Sequence, residues 1–460
     1  MLGWWLLGPV LALCAWLPTL TIYFTGEDFV FIHFAASAQP FYTPSQNLFY
    51  RPLPNLLWQL DYWLFGLHAW GYHLTNLLLH LANVALVGWL TYRLTTAAST
   101  ATLAASLFAL HPVHAEPITW IAGRPDLSAT FFGLLVLVCW LQGGRTYYLL
   151  SLLAYATALL CKESVVGLPL ILFGLEWCKQ SPKPEMTGFP FRKLIFKLIP
   201  YALIIAFYLG VRLTVLGGLG GYANAGNVLL NSLWNATFGL WLPLLFPLNL
   251  DSTGWLVEIG LIAALLGLYT WLLWRLRRHF PSLRPAFGFG LTLMYGGILP
   301  ALHLPPVLPD LEQSRLLYLP SVGFCLLLAI CLRVAGNKVA LAGVGVVYGL
   351  ALGLTLLSWW QAGQLVEITF VSLQRANLPI EAGDSLYYEG LPDNWHGAYV
   401  WRNGIGEATT LLLKPGVRGL LLTPQVRTVV GNHKSWYVYY ILSQPTFGPA
   451  LQLVSYSSSP

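Results

Sequence analysis

Charge is what this sequence has least of. Of its 460 residues, 9% are Asp, Glu, Lys or Arg, against about 25% in a soluble globular protein. That scarcity excludes a water-soluble enzyme and a disordered chain. Cysteine is sparse and unpatterned. Cys14, Cys139, Cys161, Cys178, Cys325 and Cys331 lie in or beside apolar runs, with no C-x-x-C spacing. Neither a zinc site nor a disulfide framework is expected from them. The net charge of +6 is modest and gathers on no soluble face, so no nucleic-acid partner is expected. The Gly217–Gly221 run lacks the Lys-Ser/Thr of a phosphate loop.

What is present is apolar: 57% hydrophobic residues, 20 Trp and a mean hydropathy of +0.64. A spanning helix needs about 20 such residues. Candidate spans run near 2–23, 71–92, 97–112, 127–143, 147–161, 164–178, 194–211, 255–274, 286–301, 316–332 and 339–359. A further apolar stretch, 229–248, holds Pro243 and Pro247. Met1–Phe24 lacks a basic start and a cleavage site, so it reads as a first span. The fold class is therefore an all-α polytopic membrane protein of about eleven or twelve helices. Basic clusters at Arg93, Arg145, Lys179–Lys197, Arg275–Arg284 and Arg333–Lys338 alternate correctly if they are cytoplasmic and 229–248 does not cross fully. Residues 24–70 are then a long outer loop. Residues 1–360 form the membrane domain. Residues 361–460 carry short runs (Ala398–Trp401, Thr409–Lys414, Gly419–Leu422, Ser435–Tyr440) broken by turn signals. They read as a small β-rich extracytoplasmic domain.

The few ionisable residues on the outer side carry the functional reading, because charge at a membrane edge is costly. Gly26-Glu27-Asp28 follows the first span. Two adjacent carboxylates suit a general base or a divalent metal, or simply start a solvated loop. Arg51 before Pro52 is a fixed guanidinium suited to phosphate, or an interfacial anchor. His73, Asn76, His80 and Asn83 share one helix face. Packing is expected of Asn83 and cavity lining of His73. The densest block holds His111, His114, Glu116, Arg124 and Asp126. Its His-x-x-His with Glu116 fits a metal site or a polar cluster shaping substrate entry, and an Arg124–Asp126 ion pair is expected. Lys162 can neutralise a phosphate or pair with Glu163. Arg315 at a helix start favours an anion, or pairs with Glu312.

The order of these motifs is recognisable. Glu27-Asp28 is followed by Tyr50-Arg51-Pro52, then His-x-x-Asn-x-x-x-His, then His111-Pro-Val-His-x-Glu116 with Gly123-Arg-x-Asp-Leu. Cys161-Lys162-Glu163 and Arg315-Leu-Leu-Tyr-Leu-Pro-Ser-Val-Gly-Phe324 complete it. The series resembles the membrane half of the transmembrane-and-TPR O-mannosyltransferase family, within the GT-C glycosyltransferases. The resemblance covers roughly residues 20–335, and no 34-residue TPR repeat follows. It implies a GT-C fold and inverting transfer of a hexose, such as mannose, from a polyprenyl-phosphate donor to an acceptor hydroxyl on a protein, lipid or glycan. The site would face outward across the plasma membrane.

The essential acid of the first outer loop maps onto Asp28, with Glu27 in place of the more usual first Asp. A divalent metal, if used, would sit on Glu27 and Asp28. On this reading Arg315, with Lys162, Arg124 or Arg51, stabilises the leaving phosphate. His111, His114, Glu116, Asp126 and His73 shape the donor pocket. Two rival readings differ in class. A transporter or flippase would place its polar residues near mid-membrane in matched halves. A non-catalytic assembly protein would bind through its C-terminal domain.

Overall fold

The computed structural model describes residues 4–44, 49–179, 191–218, 220–221, 227–249, 280–336, 338–422, 435–443 and 450–459, with single positions between 259 and 274. The expected span 255–274, Asp251, Glu258 and most of the Arg275–Arg284 cluster lie outside the described residues. Six described helices are long and apolar enough to cross a membrane. Two shorter apolar helical stretches, Leu6–Thr21 and Ala98–Leu110, accompany them.

Local chemistry sets the boundaries. The first helix, α1 (Trp4–Trp16), tightens into a 3-10 turn at Leu17-Pro18. The outer stretch 24–70 is not an open loop. It folds into α2 (Asp28–Ala36) and α3 (Pro52–Phe65), the latter starting on a proline as first turns allow. α4 (Ala69–Thr95) ends on Thr96 in the left-handed region. α5 (Ala98–Leu110) stops at His111, whose successor Pro112 disfavours helical backbone. The short α6 (Ala115–Thr119) leads to α7 (Arg124–Gln142). Gly143 and Gly144, at φ 73° and 81°, reverse the chain into α8 (Arg145–Cys161). α9 (Leu168–Lys179) and α10 (Phe191–Leu216) follow.

The stretch 229–248, expected to stop short of crossing, is an 18-residue helical run, Val228–Leu245, long and apolar enough to span. A π-turn at Asn235–Gly239 lies inside it. Asn235 Nδ2 donates to the Leu302 and Leu304 carbonyls at 3.0 and 2.9 Å, which ties that irregularity to the 302–304 segment. Helices Phe280–Ile298, Tyr318–Ala335 and Lys338–Ala376 complete the bundle. The last has 39 residues, so helix continues well past the expected end at residue 359.

After it, β1 (Ser385–Glu389), β4 (Arg418–Leu421), β5 (Ser435–Ser443) and β6 (Ala450–Ser459) form one sheet in the order β4-β1-β5-β6. The β1 pairings are parallel and β5–β6 is antiparallel. A short hairpin of β2 (Asn394–Trp395) and β3 (Ala398–Tyr399) stands apart. Thr409–Leu412, expected as a strand, belongs instead to helix Ile405–Leu412. This helix is the crossover that a parallel β1–β4 pair requires. The bundle thus presents one end carrying residues 26–28, 112–123, 302–317 and 393–404, and an opposite end carrying the basic turns.

Candidate active site

At that first end the two neighbouring carboxylates have opposite surroundings. Asp28 is fully buried. Its Oδ2 accepts from the Thr25 amide at 2.8 Å and the Thr25 hydroxyl at 3.0 Å. Its Oδ1 accepts from the Ala122 amide at 3.0 Å. Burial pushes its pKa up to about 7, against those donors. Asp28 therefore ties the start of α2 to the 121–123 turn. Glu27 is half-buried. Burial raises its pKa, while Arg315, a hydrogen bond from Asn403, and Arg402 lower it. Of the pair, Glu27 is the less buried.

Glu116 and Arg315 stand beside it. The Glu116 carboxylate accepts from the Ser314 hydroxyl at 3.3 Å and the Arg315 amide at 3.0 Å. It also receives the Arg315 guanidinium and the Tyr399 hydroxyl, the latter at 2.9 Å. The anion position expected at this helix start is thus filled by the chain's own carboxylate. The alternative Arg315–Glu312 pair is not formed. Glu312 pairs with Arg402, which also bridges to Asp393 at 2.7 Å.

The C-terminal segment 393–404 is the part of the site that sequence reasoning missed. The Gly26 amide donates to the Val400 carbonyl at 2.7 Å. A Cβ on Gly26 would meet that carbonyl oxygen at 2.4 Å. Gly404, at φ +87°, packs so closely that a Cβ there would lie 1.9 Å from the Gly26 oxygen. Trp401 stacks on Phe29 at 6.3 Å and donates to Thr369 at 3.0 Å. Tyr399 packs on Trp120 at 4.8 Å, and Arg402 lies over Tyr399 at 4.6 Å. The only sequence signal was the aromatic run Tyr399-Val-Trp401 beside Arg402, which reads equally as a strand.

The four cations expected at a phosphate part company. Arg124 is fully buried and pairs with Asp61 at 2.5 Å, not with Asp126 as expected. It also donates to Asn76 Oδ1 at 2.9 Å and the Tyr72 carbonyl at 3.1 Å. Lys162 grips both oxygens of Asp126 at 2.6 Å, not Glu163. Both pairs are interior struts. Arg51 reaches Glu163 at 2.6 Å and Arg212 reaches the same carboxylate at 3.4 Å. These cations, with Lys162 nearby, hold the Glu163 carboxyl well below the usual range. Glu163 keeps 31% side-chain exposure, so this group, unlike the buried pairs, opens to the surface.

The histidines sit inside the bundle. His73, His80, His111 and His114 are all fully buried. His80 bonds the Tyr318 hydroxyl at 2.8 Å, His111 the Leu244 carbonyl at 3.0 Å and His114 the Ser321 hydroxyl at 2.8 Å. Asn83 donates to the Leu127 carbonyl at 3.1 Å and to Tyr318 at 3.2 Å, the packing role expected of it. His73, expected to line a cavity, is enclosed. The Asp28 carboxylate is held by three donors from Thr25 and Ala122. Among the described residues no three His, Cys, Asp or Glu converge as a metal would require.

ArnT from Cupriavidus metallidurans in the apo state superimposes with a TM-score of 0.53 at 15% identity, over 95% of this chain and 93% of that one. The same protein bound to undecaprenyl phosphate gives 0.50. The bundle accordingly shares the fold of these ArnT structures. In sequence the chain resembles the membrane part of the protein O-mannosyltransferases. Protein O-mannosyl-transferase TMTC3 of Mus musculus is 26% identical over 402 residues, 78% of this chain and 42% of that protein. Protein O-mannosyl-transferase tmtc2 of Xenopus laevis is 41% identical over 93 residues, 20% of this chain and 11% of that protein. The matched stretch thus spans less than half the length of these relatives. No family model matches the chain.

Proposed function

We propose that this chain transfers a sugar, mannose or another hexose, from a polyprenyl-phosphate donor to an acceptor hydroxyl, with Glu27 as general base. The observation that carries the reading is the contrast at residues 27 and 28. One carboxylate is locked in backbone hydrogen bonds, and the other is open among Arg315, Arg402 and Asn403. The base role moves from Asp28 to Glu27 on that ground, and Asp28 becomes a positioning residue.

The step is a single displacement. The acceptor oxygen bonds to the anomeric carbon as the bond from that carbon to the phosphate oxygen breaks. The hydroxyl proton passes to Glu27, and the electron pair leaves on polyprenyl phosphate with inversion. Charge that develops on the phosphate needs fixed cations, worth about 3 to 4 kcal/mol per well-placed donor. Arg51 and Arg212 supply them, since they converge from different elements on one half-exposed carboxylate. Arg124 and Lys162 are held by the buried Asp61 and Asp126, and Arg315 orders Glu116 beside the base.

An apolar cavity of about 360 Å³, lined by residues such as Pro18, Ile22, Leu110, Leu356 and Trp360, adjoins this end and suits an isoprenoid chain. The positive-inside pattern supports an extracytoplasmic position for this end. Residues from about 377 onward act as a separate unit whose 393–404 segment closes over Glu27. The similarity to O-mannosyltransferases favours mannose and a hydroxyl acceptor. The test is turnover of radiolabelled polyprenyl-phosphate hexoses by purified protein. Release of polyprenyl phosphate by wild type and its loss in Glu27→Gln supports the reading. Undiminished turnover in Glu27→Gln removes it.

A further inference from the structure

A second cavity, of about 510 Å³, lies at the opposite end of the bundle, lined by Trp140, Arg145, Tyr148, Glu176, Phe196 and Lys197 among others. α7 alone has 19 residues between the two ends. At about 1.5 Å per residue this separates the cavity from the catalytic end by about the thickness of a bilayer core. The donor phosphate described above therefore cannot also be its occupant.

The lining is built for an anion at a membrane surface. Glu176 is engaged by the Trp140 indole at 2.7 Å and by Lys179 at 2.8 Å. Two further cations line the space. Lys197 lies over the Trp140 ring at 5.8 Å. Arg145 opens α8 directly after Gly143 and Gly144, which also line the cavity. Its helix start adds a favourable dipole. Trp140 and Tyr148 supply the amphipathic rings found at headgroup level. From Phe196 an exposed apolar stripe runs along α10 through Ile199, Leu203 and Phe207, the last 75% exposed. Their spacing keeps them near one helix face. A charged head beside an apolar wall is the shape of a lipid. Arg93, Lys179, Arg192 and Lys193 lie in the end turns of their helices, and such basic clusters attract anionic lipid.

We infer that this cavity binds the headgroup of an anionic phospholipid in the leaflet opposite the catalytic end. A zwitterionic choline head would bring its own cation against Arg145 and Lys197. The site stands whether or not the catalytic reading does.

The test is lipid retention by the purified full chain, read by native mass spectrometry and thermal melting. The probes are phosphatidylglycerol, phosphatidylcholine and inorganic phosphate. Phosphatidylglycerol is expected to stay bound and raise the melting temperature, and the other two are not. Arg145→Gln with Lys197→Gln should weaken that retention about thirtyfold, at roughly 1 kcal/mol for each of the two surface cations. Arg145→Lys with Lys197→Arg should restore it, which separates lost charge from lost folding. Equal retention of phosphatidylcholine, equal stabilisation by inorganic phosphate, or unchanged retention in the double Gln variant would each overturn the inference.

Discussion

Glu27 and Asp28 differ by one methylene and by everything around them. Removing the Glu27 carboxylate with Glu27→Gln should lower turnover about 10²- to 10⁴-fold, the range of general-base loss. The melting temperature should stay near that of wild type. Asp28→Asn should behave differently, because an amide nitrogen would face the Thr25 or Ala122 donor that an oxygen now accepts. The protein should melt lower, and turnover should fall with the folded fraction. Burial, the largest influence on Glu27, raises its pKa, and the base works only when ionised. Activity should therefore fall as pH falls, with a midpoint above the ordinary glutamate value. A kcat/KM profile flat down to about pH 4 would count against Glu27. The adjacency of two acids was legible in the sequence, but the choice between them was not. It depends on an amide at Ala122, 94 residues away along the chain. The same holds for Arg124, whose partner Asp61 lies in a stretch that reads as loop.

Between elements, the crossing of Gly26 and Gly404 is the tightest constraint on the site. A side chain at either position strikes backbone, and Gly404 also holds a positive φ. Gly404→Ala should lift the 393–404 segment from α2. We expect faster proteolysis within that segment and at least about a tenfold loss of turnover, from strain of roughly 1–3 kcal/mol. The cations divide by the same logic. Arg124→Gln strands Asp61 in the interior and should cost about 3–5 kcal/mol of stability, visible as poor yield or a lowered melt. Arg51→Gln touches a half-exposed group, so it should leave the melt unchanged and raise the KM for the donor. Equal effects on melt and KM in both variants would contradict the division. Helix boundaries at Pro52, Pro112, Pro125 and Gly143-Gly144 were readable because those residues restrict the backbone locally. The helical course of 28–65 and of 405–412 was not, since short amphipathic helices resemble loops and strands in so apolar a sequence.

At the scale of the molecule, the bundle places the Glu27, Glu116 and Arg315 cluster at one end and its basic turns at the other. This arrangement was visible in the sequence as a sorting of scarce charges. The C-terminal sheet was foreseen as present but not as a participant. Its hairpin and the segment after it reach Gly26, Glu116, Glu312 and Arg315. Deletion of residues 377–460 should therefore abolish turnover even where the membrane part still inserts, as seen by protease protection. Retained turnover would make the segment dispensable. The most direct test of the whole account is a single-turnover assay on purified protein with polyprenyl-phosphate-[¹⁴C]mannose, comparing wild type, Glu27→Gln and Asp28→Asn at matched folded concentration. The account predicts polyprenyl phosphate release by wild type, none above background by Glu27→Gln, and measurable release by Asp28→Asn. Full release by Glu27→Gln, with Asp28→Asn inert though folded, would contradict it.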